Sequence, residues 1–181
     1  DLDLETIVGH GATFRVVGDG RNALHTRTWT GVCSHMEELQ AESEGLSTYA
    51  VRIVPILYRT RLRTNCRIFE RKTLPEIVQA VLAEWQIEAT LRLSATYVKH
   101  EYRIQYMETD FAFISRLLEE AGITYYFEFE ETKTKLVLTD DVGGGPARDG
   151  GPLPFVEGHT HEGRKDFVTK VRVLTDVRAG H

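Results

Sequence analysis

Between His100 and Asp140 the hydrophobic period changes twice within forty residues, and that narrows what the chain can build. Tyr102, Ile104 and Tyr106 alternate with Arg103 and Gln105, the period-two pattern of a half-buried strand. Thr109 or Asp110 can then cap a helix whose apolar face is Phe113, Ile114, Leu117, Leu118 and Ala121. Gly122 supplies a left-handed stop. Directly after it, Ile123, Tyr125, Phe127 and Phe129 alternate with Thr124, Tyr126, Glu128 and Glu130, and Leu136 and Leu138 begin another strand. The order strand, helix, strand, strand describes a compact α+β unit and not a repeating βαβ array. The face around Tyr125 and Phe127 is expected to be core under the helix, so that Phe127→Ala costs about 3–5 kcal/mol.

A second helix is legible upstream. Thr73-Leu74-Pro75-Glu76 fits a capping box, with Pro75 in the first turn. Leu74, Ile77, Val78, Val81, Leu82 and Trp85 then line one face, which ends the helix near Trp85 and reads as ordinary core. The first sixty residues carry β signals. Thr13-Phe14-Arg15-Val16-Val17 precedes the turn cluster Gly18-Asp19-Gly20, Arg27 to Ser34 holds Trp29, Val32 and two threonines, and Tyr49, Val51 and Ile53 alternate with Ala50 and Arg52. Between the last two runs, Glu37, Glu38, Glu42 and Glu44 read as a solvated hairpin tip. Gly143-Gly144-Gly145-Pro146 and Gly150-Gly151-Pro152 mark a surface linker, and β character resumes at Phe167 to Val173.

The function classes narrow by charge and by motif. The 181 residues carry 22 Lys plus Arg against 27 Asp plus Glu, a net charge of −5, which opposes a nucleic-acid binder driven by bulk charge. Residues 52 to 72 are the exception, with Arg52, Arg59, Arg61, Arg63, Arg67, Arg71 and Lys72 against Glu70 alone. With Tyr58 and Phe69 as the only aromatics there, the segment reads as partner contacts or local salt bridges, and single-stranded nucleic acid is the lesser alternative. Cys33 and Cys66 form no C-x-x-C motif and read as two packed thiols of a reducing compartment. No apolar run approaches the roughly 18 residues of a membrane-spanning helix. The start at Asp1-Leu2-Asp3, without Met, and the abrupt end after Val171-Arg172-Val173-Leu174 suggest a piece of a longer protein.

Catalytic constellations are sparse. There is no Gly-x-Ser-x-Gly elbow, and the glycine triplet lacks the Gly-Lys-Ser/Thr ending of a phosphate loop. His159-x-His161 followed by Glu162 has metal-like spacing but no evident third ligand. Glu119 and Glu120, adjacent on a helix, diverge by about 100 degrees and cannot share one substrate. Asp140-Asp141 reads as a turn, and His10, His25, His35 and His100 stand alone. No catalytic, cofactor-binding or metal residue is assigned, and no cofactor is expected. A small hydrolase or metal-dependent enzyme remains the alternative of a different class.

The run from Tyr102 to Phe127, including Gln105-Tyr106-Met107-Glu108-Thr109-Asp110, Phe113-Ile114-Ser115-Arg116-Leu117-Leu118-Glu119-Glu120 and Gly122-Ile123-Thr124-Tyr125, resembles the hallmark block of the VgrG proteins, spike-tip components of type VI secretion systems. Leu136-Val137-Leu138-Thr139-Asp140, Gly31-Val32, Pro55-Ile56-Leu57, Arg67-Ile68-Phe69 and the helix from Thr73 resemble further family segments, over about residues 4 to 141. Trp29, Glu70 and Ala121 depart from the commoner Phe, Gln and Glu. The resemblance implies an α+β chain with the β-barrel-type strands of a phage baseplate hub. Residues 1–63 would be part of a first barrel, 64–141 an α+β insert with two main helices, and 142–181 a Gly/Pro-rich linker and the start of a second barrel. It also implies a non-catalytic homotrimer seated on a hexameric inner tube protein, with baseplate proteins and effectors as partners and no stable membrane insertion by this stretch. Assembly would take place in the bacterial cytoplasm, before secretion or delivery into a target cell. A phage tail hub shares the same fold. Trimer contacts are expected from strands near Trp29 and Val171.

Overall fold

Two threonines fix where the helices of this computed structural model begin. Thr73 accepts the Glu76 amide while the Glu76 carboxylate accepts the Thr73 amide, the reciprocal capping box, and helix α1 runs Leu74–Glu84. Thr109 accepts the Ala112 amide and starts α2, Asp110–Glu120, so Asp110 is the first helical residue and not the cap. Gly122 ends α2 at φ +67, a conformation that side chains disfavour. The structure describes residues 3–17, 27–40, 47–130, 132–145, 151–156 and 167–173.

The described residues also form eight strands: β1 Gly11–Val16, β2 Arg27–Gln40, β3 Thr48–Val54, β4 Thr64–Lys72, β5 Ala89–Arg92, β6 His100–Thr109, β7 Thr124–Phe129 and β8 Thr134–Thr139. They form three sheets, ordered β1-β2-β3, β4-β6 and β5-β8-β7. All pairings are antiparallel except β5 with β8, where Ala89 faces Leu136 and Arg92 faces Thr139. The architecture is mixed α+β and mostly sheet, as expected. Among the described residues every sheet is open and none closes into a barrel.

The apolar faces of both helices meet over one core of Leu74, Ile77, Val78, Val81, Phe113, Ile114, Leu117 and Leu118, joined by Leu136 and Leu138 from β8. Here the strand expectation needs correcting. Tyr125 and Phe127 are only partly buried and pack on the margin of this core. The fully covered place goes to β8, because it is the central strand of its sheet and Leu136, Val137 and Leu138 are all buried. Phe129 is exposed to 51% and turns toward Trp29, which lies between Phe14 at 5.6 Å and Phe129 at 5.9 Å between centroids. Thr30 on β2 and Thr134 on β8 bind each other reciprocally, backbone amide to hydroxyl at 2.9 and 2.7 Å, tying the first sheet to the third.

The chain divides into two compact units, Asp1–Gly144 and Gly145–His181. In the second, Phe155 and Val168 form a parallel bridge, with the Val156 amide donating to the Val168 carbonyl and the Val168 amide to the Pro154 carbonyl. No described helix is long and apolar enough to cross a membrane.

Candidate functional site

The densest polar cluster gathers around a side chain that the sequence offered only as a possible cap. Asp110 is completely buried at the start of α2. Its Oδ2 accepts Arg63 Nε at 2.8 Å and the Trp85 indole N–H at 2.9 Å, with Arg63 Nη2 in ion-pair contact at 2.7 Å. Its Oδ1 accepts Arg67 Nη2 at 2.7 Å and Gln105 Nε2 at 2.9 Å. The Asp110 backbone amide donates to the Arg63 carbonyl. Glu84, at the end of α1, closes the cluster by accepting from both Arg63 and Arg67. Burial by itself would raise the Asp110 carboxyl. The hydrogen bonds from Gln105, Trp85 and Arg63 and the positive charge of Arg67 outweigh it and hold the group below the ordinary carboxylate value. A negative charge at a helix N-terminus is also favoured by the helix dipole.

Local chemistry explains the convergence. Trp85 follows α1, Gln105 lies on β6, and the arginines come from the end of the 3-10 turn Ile56–Leu62 and from β4. A register shift between Asn65 and Arg67, opposite Met107 at φ +51, sets Arg67 and Gln105 side by side on the inner face of the β4-β6 ribbon. The cluster therefore fastens both helices, the ribbon and the turn to one point. Its two carboxylates match its two arginines, so it is a neutral brace and not a reactive centre. The expectation of local salt bridges in the basic segment is met by Arg63 and Arg67.

The other sequence candidates lie apart. Glu119 and Glu120 are exposed, and Glu120 pairs with Arg103. Asp141 does form a turn, accepting the Gly143 and Gly144 amides. Asp140 does more than the turn reading allowed, and that reading is corrected. It accepts the Ser94 and Ala95 amides and the Tyr97 hydroxyl, clamping the loop before β6 to the end of β8. The two amides lower the Asp140 carboxyl to about 2. Tyr97 is pushed up to about 12 by burial, then by its bond to Asp140 and that charge. His10, His35 and His100 sit on separate segments, and His25, His159, His161 and Glu162 lie outside the described residues. Among the described residues no group of three or more His, Cys, Asp or Glu is placed to hold a metal ion. Cys33 is buried as expected, but Cys66 is exposed, because it stands on the outer face of the ribbon at the register shift.

A cleft of about 300 Å³ opens between the sheets, lined by Gly31, Ile56, Ile87, Phe127, Lys133 and Leu136 among others. Its lining is mixed, with Glu88, Lys133 and Lys135 among apolar and uncharged polar residues.

Sequence comparison places this geometry among known proteins. The chain is 32% identical over 145 residues to the type VI secretion system spike protein VgrG1b of Pseudomonas aeruginosa, covering 79% of this chain and 19% of that protein. It is 31% identical over 134 residues to the spike protein VgrG3 of Vibrio cholerae, covering 74% of this chain and 13% of that one. The chain thus spans about a fifth or less of the length of these relatives. The E. coli c3393 protein, described as a component of the type VI secretion system with structural similarity to T4 bacteriophage tail proteins gp27 and gp5, superposes with a TM-score of 0.72. At 24% identity, over 87% of this chain and 42% of that one, this likeness establishes the fold. A family profile described as the phage tail baseplate hub matches residues 1–181 from end to end, and the chain belongs to that family.

Proposed function

We propose that this chain is a structural part of the hub at the base of a secretion spike, a non-catalytic component of a contractile machine. The observation that carries the reading is the baseplate hub match across all 181 residues, together with relatives that are spike proteins of type VI secretion systems. In this reading three copies surround the spike axis and seat it on a hexameric inner tube, and the driving energy comes from contraction elsewhere in the machine. The Asp110 cluster suits such a part, since it joins two helices and two β-strands into one stiff body able to bear load. The division into a first barrel portion at 1–63, an insert at 64–141 and the start of a second barrel at 142–181 belongs to the same proposal. Assembly in the cytoplasm would precede delivery with the spike. Effectors would be carried by parts of the parent protein beyond this chain.

The test is secretion. Deleting residues 1–144 from the parent protein should abolish release of both the inner tube protein and the spike into the medium while leaving their synthesis intact. Normal release from the deleted strain would overturn the reading. A phage tail hub would instead show loss of infectious particles with the same deletion.

A further inference from the structure

Neutralisation of Arg63 and Arg67 leaves a remainder in the basic segment. Arg59 and Arg61 are exposed on the turn Ile56–Leu62, and neither has a carboxylate within 4.0 Å among the described residues. Their guanidinium groups lie on aromatic rings. Arg59 is 5.9 Å from the Trp85 ring centroid, and Arg61 is 4.1 Å from that of Phe111 and 5.7 Å from that of Tyr58. A stacked guanidinium is held in place while its N–H fork stays free at the ring edge for a carboxylate. Leu62, 72% exposed, and Tyr58, 38% exposed, lie beside them. Arginine, tyrosine and an exposed leucine together have the composition of an interface centre and not of a solvated charged face.

The same molecule carries a feature with the opposite properties. From His35 to Gln40 and from Thr48 to Arg52, β2 and β3 pair with each other, and exposed side chains occur on both faces of the ribbon. A two-stranded ribbon without a covering layer is marginal in water. This arm shows Leu39 at 59% and Val51 at 51% exposure and carries the exposed Glu37 and Glu38. Two more glutamates, at 42 and 44, follow in the sequence. Among the described residues of the arm the one basic side chain of fixed charge is Arg52 on the facing strand, and the His35 ring lies 3.6 Å from Glu37. Among the described residues of one copy, no arm carboxylate pairs with Arg59 or Arg61. Tyr49, the cross-strand partner of Glu38, precedes Ile56 by seven residues of mostly extended chain, or about 20 Å at ~3.3 Å per residue.

We propose that the β2–β3 arm of one copy seats on the Arg59–Arg61 turn of the next, Glu38 meeting the guanidinium groups and Val51, on the same face of the arm, covering Leu62 and Tyr58. Such a contact joins two different surfaces head to tail, so it closes a ring where the rotation allows and otherwise runs on as a filament. The closure at three copies rests on the hub reading above, and the contact itself rests on this charge match. A polyanion such as single-stranded DNA fits less well, because the arm and the net charge of −5 would repel it.

The experiment uses the 181-residue chain and two charge-reversed forms. One carries Arg59→Glu with Arg61→Glu, and the other Glu37→Lys with Glu38→Lys. All four positions are exposed, so circular dichroism and melting should match the parent, and Arg59→Gln with Arg61→Gln serves as a milder form. At low salt and high protein concentration, light scattering should give the parent three times 20.6 kDa, with association weakening at least about tenfold as salt screens the contact. Each reversed form alone should be monomeric. Mixed in equal amounts, the glutamate arm of one form meets the arginine turn of the other and the lysine arm meets the glutamate turn, so association should return in the mixture. A parent that stays monomeric, a parent that stops at a dimer, reversed forms that associate like the parent, or a mixture that does not associate would each overturn the contact. So would DNA capture lost in the turn variant without any self-association. The secretion assay answers the hub reading separately, so failure of this contact and failure of that role remain distinguishable.

Discussion

Asp110→Asn is nearly isosteric and isolates the worth of the buried brace. The native carboxylate accepts from four N–H donors, two on each oxygen, with a further ion-pair contact from Arg63 Nη2. An asparagine has one acceptor oxygen, so its amide must face either the Arg63 and Trp85 donors or those of Arg67 and Gln105. Either orientation strands at least two buried or half-buried donors. Breaking a buried ion pair on one side costs about 3–5 kcal/mol. The lower end applies, because Arg63 is 37% exposed and both arginines keep Glu84 as a partner. The expected loss is therefore about 3 kcal/mol. In urea, with a slope near 1.5 kcal/mol/M, the midpoint should fall by roughly 2 M. The parallel Glu84→Gln change, at an exposed partner, should cost no more than about 1 kcal/mol. The pH dependence has a definite sign. Asp110 titrates below its ordinary value of 3.8, so its contribution is complete above that value and is lost as pH falls through the folded one. Parent and variant should thus converge in acid. A loss under about 1 kcal/mol at neutral pH, or a gap that widens in acid, would refute the reasoning.

Four other changes test separate parts of the fold. Thr73→Ala removes one half of the capping box and should cost about 1 kcal/mol in the same melt, with α1 fraying first by hydrogen exchange. Gly31→Ala would place a Cβ onto the Val54 carbonyl oxygen, so β2 and β3 must separate; a loss of about 1–3 kcal/mol is expected, and an unchanged midpoint would contradict the strand pairing. Asp140→Asn should expose the Ser94 and Ala95 amides to exchange. It should also bring the Tyr97 hydroxyl down from about 12 in an absorbance titration, though not to 10, because burial is the larger cause and stays. Phe127→Ala should cost less than the ~3–5 kcal/mol of a fully buried phenylalanine, since the ring is only partly covered.

Local rules made much of this protein readable before any coordinates. The Thr73 capping box, the α2 face from Phe113 to Leu118, and the Gly122 stop depend on neighbours within four residues, and the sequence by itself determined them. The family block lies in the same stretch. The tertiary structure decided what depends on partners distant in the chain. Alternation could not tell that β8 would be the central strand and Tyr125 and Phe127 marginal, because β5 pairs with β8 across more than forty residues. Asp110 looked like one of two possible caps. Its four donors come from four residues between positions 63 and 105, and only the packing of two helices on a ribbon brings them to one carboxylate. The run of arginines, uniform in sequence, was divided by the same packing. Arg63 and Arg67 face the buried aspartate, while Arg59 and Arg61 face solvent across aromatic rings, because a turn and a strand present successive side chains in different directions.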